Sequence, residues 1–202
     1  DLGSRGLGDV YKRQVLVSGA AGSTGSIAAQ IAKLKGCRVI GVAGGTEKCR
    51  WLTETAKIDA AIDYKAAKLE EVIPELCPEG IDVVFDNVGG DFLNIALTHI
   101  NQSARIAVCG AISGYNNETP APGPANYTAL IIQRARMEGF IVLDYMDKFP
   151  EAIADLMKWV QEGKIAYQED IQEGIENAPD TLLRLYTGKN QGKQLLKVAD
   201  PD

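Results

Sequence analysis

From residue 15 onward, short continuous apolar runs alternate with stretches whose apolar positions recur at helical spacing. The runs predict strands over 15–18, 38–42, 60–63, 81–86, 105–109, 140–144 and 194–198. The periodic stretches predict helices over 23–34, 46–55, 69–76, 91–100, 127–136, 150–162 and 177–185. In the first helix, Ile27, Ala28, Ile31, Ala32 and Leu34 form one apolar stripe, and Gly36 follows as a stop. Thr46 is placed to cap the second, with Glu47 in its first turn. Strands without polar alternation are buried on both faces, which is the pattern of a parallel sheet with helices on either side. Right-handed crossovers then give an α/β, doubly wound (Rossmann) sheet. Residues 1–14, DLGSRGLGDVYKRQ, lack this periodicity and read as a linker-like or non-native leader, leaving 15–202 as one dinucleotide-binding domain.

Composition narrows the function. The 202 residues carry a net charge of −6 with no basic run, which argues against nucleic acid or an anionic membrane as partner. No apolar run has the length of a membrane span, and no signal peptide is visible, so the cytoplasm is the default compartment. Cys37, Cys49, Cys77 and Cys109 are scattered, without a CxxC pair, and His99 is the only histidine. Neither a disulfide framework nor a zinc site is expected, so no metal is assigned.

The strongest chemical signal is Val15-Leu16-Val17-Ser18-Gly19-Ala20-Ala21-Gly22-Ser23-Thr24-Gly25. A strand, a small-residue turn and a helix start are what a parallel sheet uses to hold a dinucleotide pyrophosphate. Gly19 or Ala20 makes the turn, Gly22 lets backbone approach the phosphates, and Gly25 lets the helix pack on the strand. The helix start, Ser23 and Thr24 included, offers unpaired N–H groups and partial positive charge. After the second strand an acid would select the NAD ribose. Here Gly44-Gly45-Thr46-Glu47-Lys48-Cys49-Arg50 supplies small residues and two cations. Lys48 and Arg50 suit a 2′-phosphate, hence NADP, or else form a solvated helix face. Glu47 either accepts from a ribose hydroxyl or repels the phosphate.

Further sites lie at later strand ends. Tyr64 is a candidate for the adenine or 2′-phosphate end, or a packing tyrosine. It begins a YxxxK match with Lys68, but this spacing follows the third strand and is better taken as chance. Asn87, before Gly89-Gly90, sits at the expected switch point of the sheet and could bond the nicotinamide side. Cys109-Gly110-Ala111-Ile112-Ser113-Gly114-Tyr115 offers small residues for a nicotinamide ring and one hydroxyl donor, Tyr115, for negative charge developing on a carbonyl oxygen. Cys109 has no evident base and reads as a small buried residue.

GAAGSTGSIAAQIAKLKGCRVIGVAGGTEKC, FDNVGG, CGAISGY, RARMEGFIV and GKNQGK together resemble the zinc-independent medium-chain reductases, in particular the prostaglandin reductase / leukotriene B4 dehydrogenase group with its alkenal and curcumin reductase relatives. The resemblance runs from Val15 to about Val198. It implies NADPH-dependent reduction of the C=C bond of α,β-unsaturated ketones and aldehydes. It implies pyrophosphate contacts from Gly22 to Gly25, 2′-phosphate contacts from Lys48 and Tyr64, and Asn87 along the cofactor. It further implies Cys109 to Tyr115 around the nicotinamide, backbone contacts from Phe140, Ile141 and Val142, and a late contact from Asn190. Family members carry an N-terminal substrate domain ahead of the glycine motif, and this sequence is expected to be the cofactor portion alone. Competing expectations are an inactive NADP(H)-binding module and a quinone reductase. A homodimer is expected through an edge strand over 140–143.

Overall fold

The computed structural model describes residues 13–119 and 121–199. Of the leader assigned to 1–14, all but Arg13 and Gln14 lies outside the described residues, and Gln14 already opens the first strand. Six strands form one parallel sheet: β1 (Gln14–Ser18), β2 (Arg38–Ala43), β3 (Ala60–Asp63), β4 (Ile81–Asp86), β5 (Ile100–Val108) and β6 (Arg136–Gly139). Their order is β3-β2-β1-β4-β5-β6. The direction of winding reverses between β1 and β4, which makes the crevice beyond their C-terminal ends the expected ligand position.

Four helices explain why both faces of the sheet are apolar: α1 (Ser23–Leu34), α2 (Thr46–Glu54), α3 (Leu69–Leu76) and α4 (Gly90–Leu97). Side chains alternate across a strand. Thus Val15 and Val17 of β1 join a cluster with Val39, Ala29 of α1 and Leu52 of α2. Leu16, between them, joins Ile40, Val84, Ile73 of α3 and Phe92 of α4 on the opposite face.

The C-terminal part is α5 (Ala129–Ile132), α6 (Phe149–Gln161), β7 (Glu169–Glu173), α7 (Ala178–Tyr186) and β8 (Lys193–Lys197). β7 and β8 pair in parallel as a separate two-stranded sheet. Hydrogen bonds tie this unit to the main body. The Gln30 side chain donates to Ala166 O at 2.8 Å and accepts from Ala166 N at 2.7 Å. The Gly192 amide donates to Ala21 O at 3.2 Å, beside a bridge from Gly22 to Gly192. No described helix is long and apolar enough to cross a membrane.

Three expectations are corrected. The edge strand is Arg136–Gly139, not 140–143 or 140–144. Pairing stops at Val108↔Gly139 because β5 ends there, and Val142–Lys148 coils into 3-10 turns. Phe140 instead turns its ring toward Phe85, centroids 6.2 Å apart, and Tyr145, 6.5 Å. The helix over 127–136 shortens to Ala129–Ile132, because Arg134 takes a left-handed φ of 48° and the chain re-enters the sheet at Arg136. β7 was not expected at all.

At the switch point the ends of β1 and β4 are joined by a buried polar lock. Ser18 Oγ donates to Asp86 Oδ1 at 2.6 Å and accepts from Asn87 N at 2.8 Å. Asp86 is fully buried and also accepts from Val88 N at 2.9 Å and Gly89 N at 3.1 Å. Ser18→Ala removes a donor from a buried carboxylate and an acceptor from a backbone amide. It should lower unfolding free energy by about 1–3 kcal/mol, read from the urea midpoint, as expected for buried groups left unsatisfied.

Candidate functional site

β1 runs into a turn at Gly19, whose φ of 57° is costly for any other residue. Gly22 N donates back to Gly19 O at 3.0 Å, and the chain then enters α1. The turn leaves no room for side chains. A Cβ on Gly22 would lie 3.2 Å from Gly19 O, and one on Gly25 would collide with Gly19 O and meet Ala20 Cα at 3.0 Å. No side chain caps α1. Its first-turn N–H groups have no intrahelical acceptor, by helix geometry. Gly22, Ser23, Thr24 and Gly25 line a cavity of about 1060 Å³. The arrangement fits an anion: bare backbone donors, a positive helix end and walls stripped of Cβ atoms.

Ala20 departs from its expected place. It is fully buried, and its amide donates to Val42 O at 3.0 Å rather than facing the cavity.

The far side of the same cavity is lined by Gly44, Lys48 and Tyr64. A Cβ on Gly44 would lie 2.8 Å from the Tyr64 ring and hydroxyl, so the glycine is what lets the tyrosine lie across β2. Lys48 Nζ donates to Gly188 O at 2.8 Å. Burial holds the Lys48 ammonium below the ordinary lysine value, and nearby Lys65 pushes the same way against Asp170. A half-buried cation of this kind gains from an added anionic partner.

Gly188, Asn190 and Gly192, between α7 and β8, close this side of the cavity. Asn190 Nδ2 donates to Gly192 O at 3.0 Å, which ties its side chain into the turn. The turn is fastened from behind by Asp170. Burial alone would raise the Asp170 carboxyl, but hydrogen bonds from Arg184, the Gln191 amide and Gln172 outweigh it and leave it below the usual carboxylate value.

Asn87 lines the middle of the cavity. Its Nδ2 donates to Ser18 O at 2.7 Å, which commits one N–H to β1 and fixes the side chain. Ile112 and Ser113 also face this cavity. Ser113 Oγ donates to Val88 O at 2.6 Å. Cys109, Gly110, Ala111 and Tyr115 instead line an adjoining cavity of about 430 Å³, with Phe140 and Ile141 opposite. Val142 lies outside both linings and is exposed. The Tyr115 hydroxyl accepts from Ala111 N at 3.3 Å. That bond orients the oxygen and leaves its proton for another acceptor. Burial and the nearby Asp86 raise the Cys109 thiol, which keeps it in the un-ionised, poorly nucleophilic form.

The structure therefore gathers the candidate residues along two neighbouring hollows above the C-terminal strand ends, except Ala20, Glu47, Arg50 and Val142, which line neither, Glu47 and Arg50 lying exposed on α2. It also adds residues to which the sequence reading gave no role: Ser18 and Asp86 build the floor. The Gly188–Gly192 turn, known in the sequence through GKNQGK and Asn190, forms a wall. Among the described residues, no group of three or more His, Cys, Asp or Glu could hold a metal ion.

Comparison with known proteins agrees with this geometry. Bovine (Bos taurus) prostaglandin reductase 1 is 48% identical over 187 residues, covering 91% of this chain and 56% of its own length. The NADPH-dependent curcumin reductase of Escherichia coli (strain K12) is 44% identical over 193 residues, covering 93% and 56%. Among solved structures, CurA from Vibrio vulnificus in complex with NADPH superposes with a TM-score of 0.88 at 42% identity, covering 94% of this chain and 58% of the other. The chain thus spans a little over half the length of these relatives. Residues 23–162 match the family described as zinc-binding dehydrogenase, and the chain belongs to that family.

Proposed function

We propose that this chain binds NADP(H) and is the cofactor-binding portion of a reductase acting on the C=C bond of α,β-unsaturated ketones and aldehydes. The observation that carries the reading is the uncapped start of α1, opening through Gly22–Gly25 into a cavity whose other end holds the half-buried Lys48 ammonium. Two anion-binding ends in one cavity are what a dinucleotide with a 2′-phosphate requires. The identity to proteins described as NADPH-dependent curcumin reductase and prostaglandin reductase 1 supports the same substrate class.

In this reading the α1 N-terminus holds the pyrophosphate, with Ser23 and Thr24 in the first turn. Lys48 and Tyr64 take the 2′-phosphate end. Asn87 and Asn190 contact the ribose and amide groups along the cavity. Cys109, Gly110, Ala111, Ile112 and Ser113 lie beside the nicotinamide, with Phe140 and Ile141 facing it. NADPH held by these residues would supply a hydride for the β-carbon of the enone, the α-carbon taking its proton from water. Tyr115 donates its free O–H to the carbonyl oxygen, where negative charge builds, and its bond from Ala111 N preorganises that donor.

One observation favours a narrower function. The cavity beside Tyr115 is bounded on few sides by this chain. A dinucleotide-binding module without turnover is the reading this favours. NADPH binding without enone-dependent oxidation would select it.

Parallel fluorescence titrations with NADPH and NADH test the cofactor assignment. The chain should bind NADPH more tightly. A charge-assisted contact is worth about 1.5–3 kcal/mol, so Lys48→Ala should cut that preference by about tenfold or more. Equal affinity for the two nucleotides in the unaltered chain would sink the NADP assignment.

Tyr115→Phe tests the chemical role. With an enone substrate, kcat should fall by roughly tenfold to a thousandfold while NADPH affinity holds, as for loss of one oxyanion donor. An unchanged kcat removes Tyr115 from the mechanism.

We also propose self-association through β6, the exposed outer strand of the sheet. Its outer row of backbone groups can pair with a second copy, and exposed Met137, Ile141 and Leu143 would be covered in doing so. Light scattering at micromolar concentration should give twice the chain mass, and a monomer mass refutes the pairing.

A further inference from the structure

Lys48 does not stand alone at the start of α2. Its neighbour Glu47 is an anion beside the same cavity, and an unrestrained carboxylate there would oppose a phosphate. Both side chains are held by the Gly188–Gly192 turn. Gly188 O accepts from Lys48 Nζ at 2.8 Å, and Gln191 Nε2 donates to Glu47 Oε2 at 3.0 Å. The Gln191 amide is fixed at its other end by Gln168 Nε2, which donates to Gln191 Oε1 at 2.9 Å.

The turn is in turn pinned from below. Asp170 Oδ2 accepts from Gln191 N at 3.0 Å and from Arg184 Nη2 at 2.7 Å. Arg184 Nε donates to Gln194 Oε1 at 3.0 Å, and Gln194 Nε2 donates to Asp170 O at 2.7 Å, closing the ring of contacts. The Asp170 side chain is 12% exposed, so this ion pair is screened far less than a surface one. Asp170, Arg184 and Gln191 lie behind the cavity wall rather than on it.

We propose that Asp170, Arg184 and Gln191 are positioning residues for cofactor choice. By fixing the Gly188–Gly192 turn, they keep the Lys48 ammonium on the cavity and turn the Glu47 carboxylate into an amide contact. The proposal rests on the NADP(H) reading above and deepens it. Selectivity for the 2′-phosphate is then set jointly by α2 and by a turn some 140 residues downstream in sequence. The contacts this device makes to α2, Gly188 O with Lys48 and Gln191 with Glu47, lie at the 2′-phosphate end of the cavity. Loosening it should therefore weaken NADPH and leave NADH nearly as it was.

The test is parallel titration of the chain and its variants with NADPH, NADH, 2′,5′-ADP and 5′-AMP. Asp170→Asn keeps the shape and removes the charge that holds Arg184. Gln191→Leu frees Glu47 while leaving the ion pair in place. Each should reduce the NADPH-over-NADH ratio by about three- to tenfold, and the 2′,5′-ADP-over-5′-AMP ratio in parallel, with NADH affinity within about twofold, as for loss of one or two polar contacts. Asp170→Glu should restore part of the ratio. A purely structural role would lower the melting temperature and weaken both nucleotides alike, and that result overturns the proposal, as does an unchanged ratio in both variants. Should Asp170→Asn fail to fold by circular dichroism, Gln191→Leu decides. If Lys48→Ala abolishes the preference while Gln191→Leu leaves it intact, the positioning role fails and the NADP(H) reading stands. If the unaltered chain shows no preference, both fail together.

Discussion

The Asp86 carboxylate is the constraint on which the geometry above the sheet depends. It sits without solvent at the point where the winding reverses, and it is satisfied by a hydroxyl from β1 and by amides of its own turn. A carboxylate buried in this way is tolerable only when its oxygens are paired. Satisfying it therefore forces Ser18, Asn87, Val88 and Gly89 into one arrangement. That arrangement spaces the ends of β1 and β4 and opens the crevice between them. The glycine turn at one rim and the Asn87 side chain at the other are both placed by this lock.

Outward from that floor, charge is distributed sparingly. One end of the cavity uses backbone dipoles and the other uses a single half-buried ammonium. The net charge of −6 does not prevent anion binding, because local potential is set by groups within a few ångströms and distant charges are screened over about 10 Å. Asn87, Asn94, Ile112 and Ser113 are also in the lining, and amides, a hydroxyl and apolar groups of this kind suit a nucleoside by shape and hydrogen bonding.

The parts of the fold legible in the sequence are those decided locally. The β1–turn–α1 unit could be read because each glycine answers a contact with a residue within a few positions, Gly25 against Gly19 being the clearest. The parallel sheet could be read because apolar runs without alternation have only one common explanation. What could not be read was decided by distant partners. The Phe140–Leu143 run has strand-like composition, but β5 supplies no further backbone to pair with it. β7, with sequence EDIQE, is a strand because β8 lies beside it, and nothing in its own composition says so. The Ser18–Asp86 contact spans 68 residues and the Lys48–Gly188 contact spans 140. Ala20 is a candidate by its place in the glycine turn, but its amide is committed to Val42 O of β2, a partner 22 residues away that the turn sequence does not reveal.

The two-stranded β7–β8 unit has a consequence for the lifetime of the chain. A pair of strands is marginal by itself, so this segment borrows its order from small attachments, among them Gln30 to Ala166, Gly22 to Gly192, Lys48 to Gly188 and Glu47 to Gln191. Opening there requires no disruption of the two sheet cores and will precede global unfolding. One attachment lies at the glycine turn before α1 and the turn beyond α7 walls the same hollow, so any molecule lodged across that seam closes it by mass action. Occupancy of the hollow would then govern how quickly a protease cuts within this segment.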